Sequence, residues 1–101
     1  MPNAYVIFIR EKTTDPSALK RYSANVGKSF QGHQIQFLVA YGAHEVLEGS
    51  PVEGVVVLEF PDMAAAKAWY ESPAYQEAAK HRFAGAKYQA ILVQGHETSA
   101  T

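Results

Sequence analysis

The sequence predicts an α+β fold of element order β-α-β-β-α-β, and three observations carry the prediction. Four β-prone apolar runs alternate with two segments of helical periodicity. A turn-rich stretch, Glu48-Gly49-Ser50-Pro51, joins the second and third runs and implies an antiparallel hairpin. The strands are apolar on both faces, although two helices can cover only one. This is the split βαβ, or ferredoxin-like, arrangement: a four-stranded antiparallel sheet with the helices on one face.

Ala4-Tyr5-Val6-Ile7-Phe8-Ile9-Arg10 opens the chain as a strand. On a period of two, Tyr5, Ile7 and Ile9 share one face, and Val6 and Phe8 the other. Asp15-Pro16 then supplies a helix cap and a residue suited to the first helical position. Leu19, Tyr22, Val26 and Phe30 follow at helical spacings as one apolar stripe, with Gly32 as the stop. Ile35–Tyr41 reads as the second strand, continued by His44–Leu47 past a bulge at Gly42. Val52–Phe60 reads as the third. Asp62 caps an Ala-rich helix that ends at Trp69 and Tyr70. Ser72-Pro73 opens a further short helix running towards Lys80. Tyr88–Gln94 is the fourth strand.

The chain has 101 residues, a length that suits one domain. Residues 1–96 are expected to form it, and the small polar stretch Glu97–Thr101 to be a flexible tail. The composition, 48% hydrophobic and 19% charged, excludes a disordered chain. A net charge of -1 gives no electrostatic footprint for nucleic acid. No apolar run is long enough to span a membrane, and the opening residues lack the charged region of a secretory signal. Cysteine is absent, which fits a reducing, cytoplasmic setting. The apolar second face of the sheet calls for a partner, and a second copy packed sheet to sheet is the economical one. A homodimer with a barrel-like interior is therefore expected.

Three segments resemble the domain-of-unknown-function family 1330: Glu45-Val46-Leu47-Glu48-Gly49, Val56-Val57-Leu58-Glu59-Phe60-Pro61, and Ala68-Trp69-Tyr70-Glu71-Ser72-Pro73-Ala74-Tyr75-Gln76. Ala4-Tyr5-Val6-Ile7, Asp15-Pro16 and Tyr22 add to the likeness. The resemblance implies a dimeric α+β barrel and supplies no catalytic residues, because the family has no generally established activity. Members often carry Trp-Pro in the turn before the third strand, and a basic residue just before its Val-rich centre. This chain has Gly49-Ser50-Pro51 and Gly54 there, which implies a different pocket rim. The wider fold group includes muconolactone isomerase-like and cofactor-independent monooxygenase-like proteins, an analogy that does not fix function.

Glu59 and Arg82 are the catalytic candidates. Glu59 shares a strand face with Val55 and Val57, where an enclosed carboxylate needs a partner or a role as general acid/base. Its structural alternative is an ion pair with Arg10 or Arg82. Arg82 can hold a carboxylate or enolate oxygen. Tyr22, Trp69, Tyr75 and His44 are the ligand-binding candidates, the aromatics as walls for a flat ligand, with core packing the plainer reading of Trp69. The pocket is expected at the sheet-helix margin near Tyr22, Glu59, Tyr75 and Arg82. No cofactor is expected, since no Gly-x-Gly-x-x-Gly, phosphate loop or haem ligand stands out. His33, His44, His81 and His96 form no close metal pattern. Two functions suit this inventory. One is a small-molecule binding protein with cofactor-free isomerase or oxygenase-like chemistry, and the other a non-catalytic dimeric binding or interaction module.

Overall fold

The β-branched and aromatic run at the N-terminus forms β1 (Ala4–Thr13), the strand around which the sheet is assembled. The computed structural model describes residues 2–96; the expected tail lies outside them. The remaining elements are α1 (Pro16–Val26), β2 (Gln36–Ala40), β3 (Gly54–Phe60), α2 (Met63–Tyr70), α3 (Pro73–Gly85) and β4 (Ala86–Gln94). The sheet order is β2-β3-β1-β4 with every neighbouring pair antiparallel. This is the ferredoxin-like α+β arrangement with one helix more than six elements require, β-α-β-β-α-α-β.

The helix starts are the capped ones the sequence indicates. Asp15 accepts from the amides of Ser17 and Ala18, Asp62 from Ala65, and Ser72 from Tyr75. The ends differ more. The first helix stops being α-helical at Val26 and tightens into a 3-10 turn over Gly27–Phe30. Gly27 has low helix propensity, and Ser29 Oγ donates to the Val26 carbonyl at 2.6 Å, competing with the helical ladder. The helix after Pro73 runs beyond Lys80 to Gly85, because Ala78, Ala79 and Arg82 all bury against neighbouring elements.

The expected hairpin pairs as an antiparallel ladder, but its connection is longer than predicted. Pairing ends at Ala40, and residues 41–53 form an exposed loop containing His44 and Leu47 rather than a continued strand. Tyr41 adopts a left-handed φ of 59°, which turns the chain out of the sheet.

The core lies between the sheet and the helices. Ala4, Val6 and Phe8 of β1 and Leu58 and Phe60 of β3 meet Ala66, Trp69, Tyr75 and Ala79. Tyr5, Ile7 and Ile9 alternate onto the opposite, helix-free face, where they pair with Glu59, Val57 and Val55 of β3 and Val93, Ile91 and Gln89 of β4.

One close approach fixes how the helices sit. The Gly85 carbonyl accepts the amides of Thr14 and Asp15 at 2.8 and 2.9 Å. A Cβ at Gly85 would lie 2.8 Å from the Leu19 side chain and 2.9 Å from its backbone nitrogen. The end of α3 therefore rests directly on the first turn of α1. Gly85→Ala is expected to destabilise the fold by about 1–3 kcal/mol through overpacking against rigid backbone, outweighing alanine's better helix propensity. Thermal denaturation checks this, at roughly 4–8 °C per kcal/mol for a domain of this size.

Candidate functional site

Period-two alternation puts Phe8 and Arg10 of β1, Val56 and Leu58 of β3, and Tyr88 of β4 on the helix-facing side of the sheet. The inner stripe of α1 (Leu19, Tyr22, Val26) lies opposite. Together with Phe30, Phe37, Tyr41, Trp69 and Arg82 they enclose a cavity of about 210 Å³. Its walls are mostly apolar, and among the described residues its ionisable side chains are arginines and tyrosines, with no Asp, Glu, His or Lys.

Arg82 is the buried charge of this cleft, 3% exposed. Its guanidinium lies over the rings of Phe8, Phe83 and Tyr88, with Cζ 4.8–5.1 Å from their centroids. Its Nε donates to Tyr75 Oη at 3.2 Å. Three ion pairs join described residues, and none includes Arg82. Tyr75 Oη is in turn 3.1 Å from Tyr22 Oη.

A second tyrosine pair closes the other side. Tyr41 Oη and Tyr88 Oη are 2.6 Å apart, and Arg10 lies over the Tyr41 ring at 4.8 Å. Arg10 Nε is 3.2 Å from Glu53 Oε1, so its charge is matched at the cleft mouth. Glu53 also accepts from Thr13, and these hydrogen bonds, followed by the Arg10 charge, hold its carboxyl below the usual range. The Tyr41 ring packs onto Gly54, where a Cβ would collide with it.

Burial is the first cause that raises the pKa of Tyr22, Tyr75 and Tyr41 above the ordinary tyrosine value. For Tyr22, repulsion from an ionised Tyr75 adds to the rise. For Tyr75 the Arg82 charge opposes it. All three are therefore neutral phenols near neutral pH.

The structure brings Tyr22, Tyr75 and Arg82 together as expected and separates them from Glu59. Leu58 and Phe60 point into the core, so Glu59 between them faces the helix-free side. There it accepts from Asn3 Nδ2 at 3.0 Å and sits beside Tyr5, whose hydroxyl is raised in pKa chiefly by its hydrogen bond to Glu59. The expected grouping of Glu59 with Arg82, as site or as ion pair, does not form, because the sheet lies between them. Arg10 pairs with Glu53, not Glu59. His44 lies on the exposed loop, its Nε2 3.0 Å from the Val52 carbonyl oxygen, and does not line the cleft. Trp69 forms part of the cleft floor but is 1% exposed. It donates to Ser29 Oγ and stacks on Phe30, which is core packing in the main.

Arg10, Tyr41 and Tyr88 are the ionisable cleft residues that sequence reasoning did not assign to the site. Two of them carried a usable signal. Arg10 continues the Val6-Phe8 face, and Tyr88 heads the β4 run that crosses from β1. Tyr41 reaches the cleft only through its left-handed backbone, which no pattern announces.

The family model for a domain of unknown function, DUF1330, matches residues 3–96, and the chain belongs to this family. No curated protein matches the sequence. Several solved structures share the fold. A protein of unknown function from Rhodopseudomonas palustris is 22% identical, with a TM-score of 0.70 over 96% of this chain and 85% of its own. A hydroxynitrile lyase from Passiflora edulis is 14% identical, with a TM-score of 0.70 over 96% of each chain. SnoaB, described as a cofactor-independent oxygenase from Streptomyces nogalater, is 13% identical, with a TM-score of 0.65 over 100% of each. Structures described as dimeric ferredoxin-like proteins of unknown function match at TM-scores of 0.64 and 0.62. At these identities the likeness is one of fold alone.

The buried phenols give a pH dependence with a definite sign. Tyr22 and Tyr75 have folded pKa values above the unfolded value of about 10. Their contribution to stability is complete below that pH and is lost as pH rises past it, because only the unfolded chain then ionises. Melting temperature is expected to fall above about pH 10, and Tyr22 and Tyr75 to form phenolate only on unfolding. Ultraviolet absorbance titration of the wild type against Tyr22→Phe and Tyr75→Phe measures both.

Proposed function

We propose that the protein is a homodimer whose protomers each bind a small, flat organic anion in the cleft between α1 and the sheet, with Arg82 as the counter-charge. One observation carries this reading. Arg82 is buried in an apolar cleft with no carboxylate partner among the described residues. A buried charge is stable only when paired or solvated by dipoles. One phenol oxygen and three aromatic faces solvate it in part, and an anion in the cleft completes the pairing.

The chemistry follows from what lines the cleft. Glu59 is across the sheet and no histidine reaches the cavity, so proton abstraction by either does not fit this site. A cleft of hydrogen-bond donors suits a substrate that reacts with oxygen as its own anion, the donors stabilising charge on its oxygens. That favours oxygenase-like over isomerase-like turnover. The same lack of a base also supports the second reading, a non-catalytic binding module. The cysteine-free composition supports a cytoplasmic setting for either.

The dimer rests on the helix-free face. Val39, Ile91 and Val93 are each about two-fifths exposed there, beside Ile7, Ile9, Val55 and Val57. Soluble monomers rarely leave a sheet-sized apolar patch uncovered. Light scattering is expected to give a dimer for the wild type and a monomer for Ile91→Glu. A monomeric wild type at micromolar concentration would sink this part of the proposal.

Ligand binding is tested by thermal shift with benzoate. At about 100 times its dissociation constant a ligand adds about 2.7 kcal/mol of stability. Arg82→Met is expected to abolish the benzoate shift and Glu59→Gln to leave it intact. An undiminished shift in Arg82→Met would remove Arg82 from the site.

A further inference from the structure

The hydrogen bonds leading away from Arg82 have a direction, and it is set by chemistry. An arginine Nε can only donate, so Tyr75 Oη is the acceptor of their 3.2 Å bond. Tyr75 is fully buried. Besides Arg82, the Tyr22 hydroxyl 3.1 Å away is its one side-chain partner through Oη among the described residues. If Tyr22 donated to Tyr75, the Tyr75 proton would be sealed in the core without an acceptor and would carry the full desolvation penalty. The satisfied arrangement is the reverse, with Tyr75 donating to Tyr22. The Tyr22 proton is then the one left over. Tyr22 is half-buried on the cleft wall, whereas Tyr75 does not line the cavity.

We infer that Tyr22 presents its O–H into the cleft as a donor to a ligand oxygen, at the end of a one-way chain from Arg82 through Tyr75, and that the ligand is a single-ring organic monoanion. The inference rests on the anion-binding reading above and adds the class of ligand and the residue that reads it. The charge count gives the monoanion. Among the described residues Arg10 and Arg82 are the two charged side chains of the cleft wall, and Arg10 is matched by Glu53. One positive charge remains. The volume gives the single ring, since a cavity of about 150 Å³ holds benzene and this one is about 210 Å³. The donor chain gives the polarity, because acceptor oxygens fit it and ring amines do not. Burial keeps Tyr22 protonated, so the donor persists across the neutral pH range.

The test compares ligands that differ only in the oxygens. Dissociation constants of benzoate, phthalate, aniline and toluene are measured by calorimetry for the wild type, Tyr22→Phe, Tyr75→Phe, the double variant and Arg82→Met. The wild type is expected to prefer benzoate over the dianion phthalate and over aniline. Tyr22→Phe is expected to weaken benzoate roughly tenfold to a hundredfold, the range for one hydrogen bond to a charged group, and to leave toluene unchanged. Because Tyr75 acts through Tyr22, the double variant is expected to bind benzoate as Tyr22→Phe does. Benzoate binding unaltered in Tyr22→Phe but lost in Arg82→Met overturns the donor assignment while the Arg82 site stands. Equal losses of benzoate and toluene in Tyr22→Phe make Tyr22 a packing residue and overturn it as well. A wild type that binds phthalate more tightly than benzoate overturns the monoanion, and one that binds no anion overturns both readings.

Discussion

The contact of Gly85 with the first turn of α1 is the constraint on which the site depends. Leu19 occupies the space that a side chain at Gly85 would need, and the Gly85 carbonyl holds the amides of Thr14 and Asp15. α3 is thereby anchored at its C-terminal end to the N-terminal end of α1. Arg82 lies one turn back along α3, and Tyr22 one turn on from Leu19. Their meeting through Tyr75 follows from that single backbone contact.

An arginine in such a place is costly by itself. The fold reduces the cost with weak interactions in number, three ring faces and one phenol oxygen, rather than with a carboxylate. A carboxylate would have satisfied Arg82 more fully and closed the cleft to anions. The contrast with Arg10 is instructive. Arg10 lines the same cleft, lies over one ring and has Glu53 beside it. Two like charges in one cavity therefore differ in what they leave available, and the difference arises from one acidic residue on the loop before β3.

Much of the fold was legible because it is written in short-range chemistry. Asp15-Pro16, Asp62 and Ser72-Pro73 are local start signals, and each begins a helix where expected. Strand faces were legible where alternation is regular, as for Val6 and Phe8. The long connection after β2 was not, because it turns on the φ of one tyrosine, and Glu45-Val46-Leu47 has strand composition without a strand's partners. For the candidate site, helical spacing put Tyr22 on the inner stripe of α1, Tyr75 and Arg82 were singled out by residue type alone, and the structure brings the three side chains together. Glu59 was grouped with them because period two gives which residues share a face but not which face the helices cover. Val55, Val57 and Glu59 were correctly placed together, on the side opposite the cleft.

The seating of the Tyr41 ring on Gly54 has a consequence for the way into the cleft. A side chain at position 54 and a ring folded inward from position 41 exclude one another, so the phenol that roofs the entrance depends on the missing Cβ at the start of β3. Gly54 thereby shapes access to a cavity that it does not itself line.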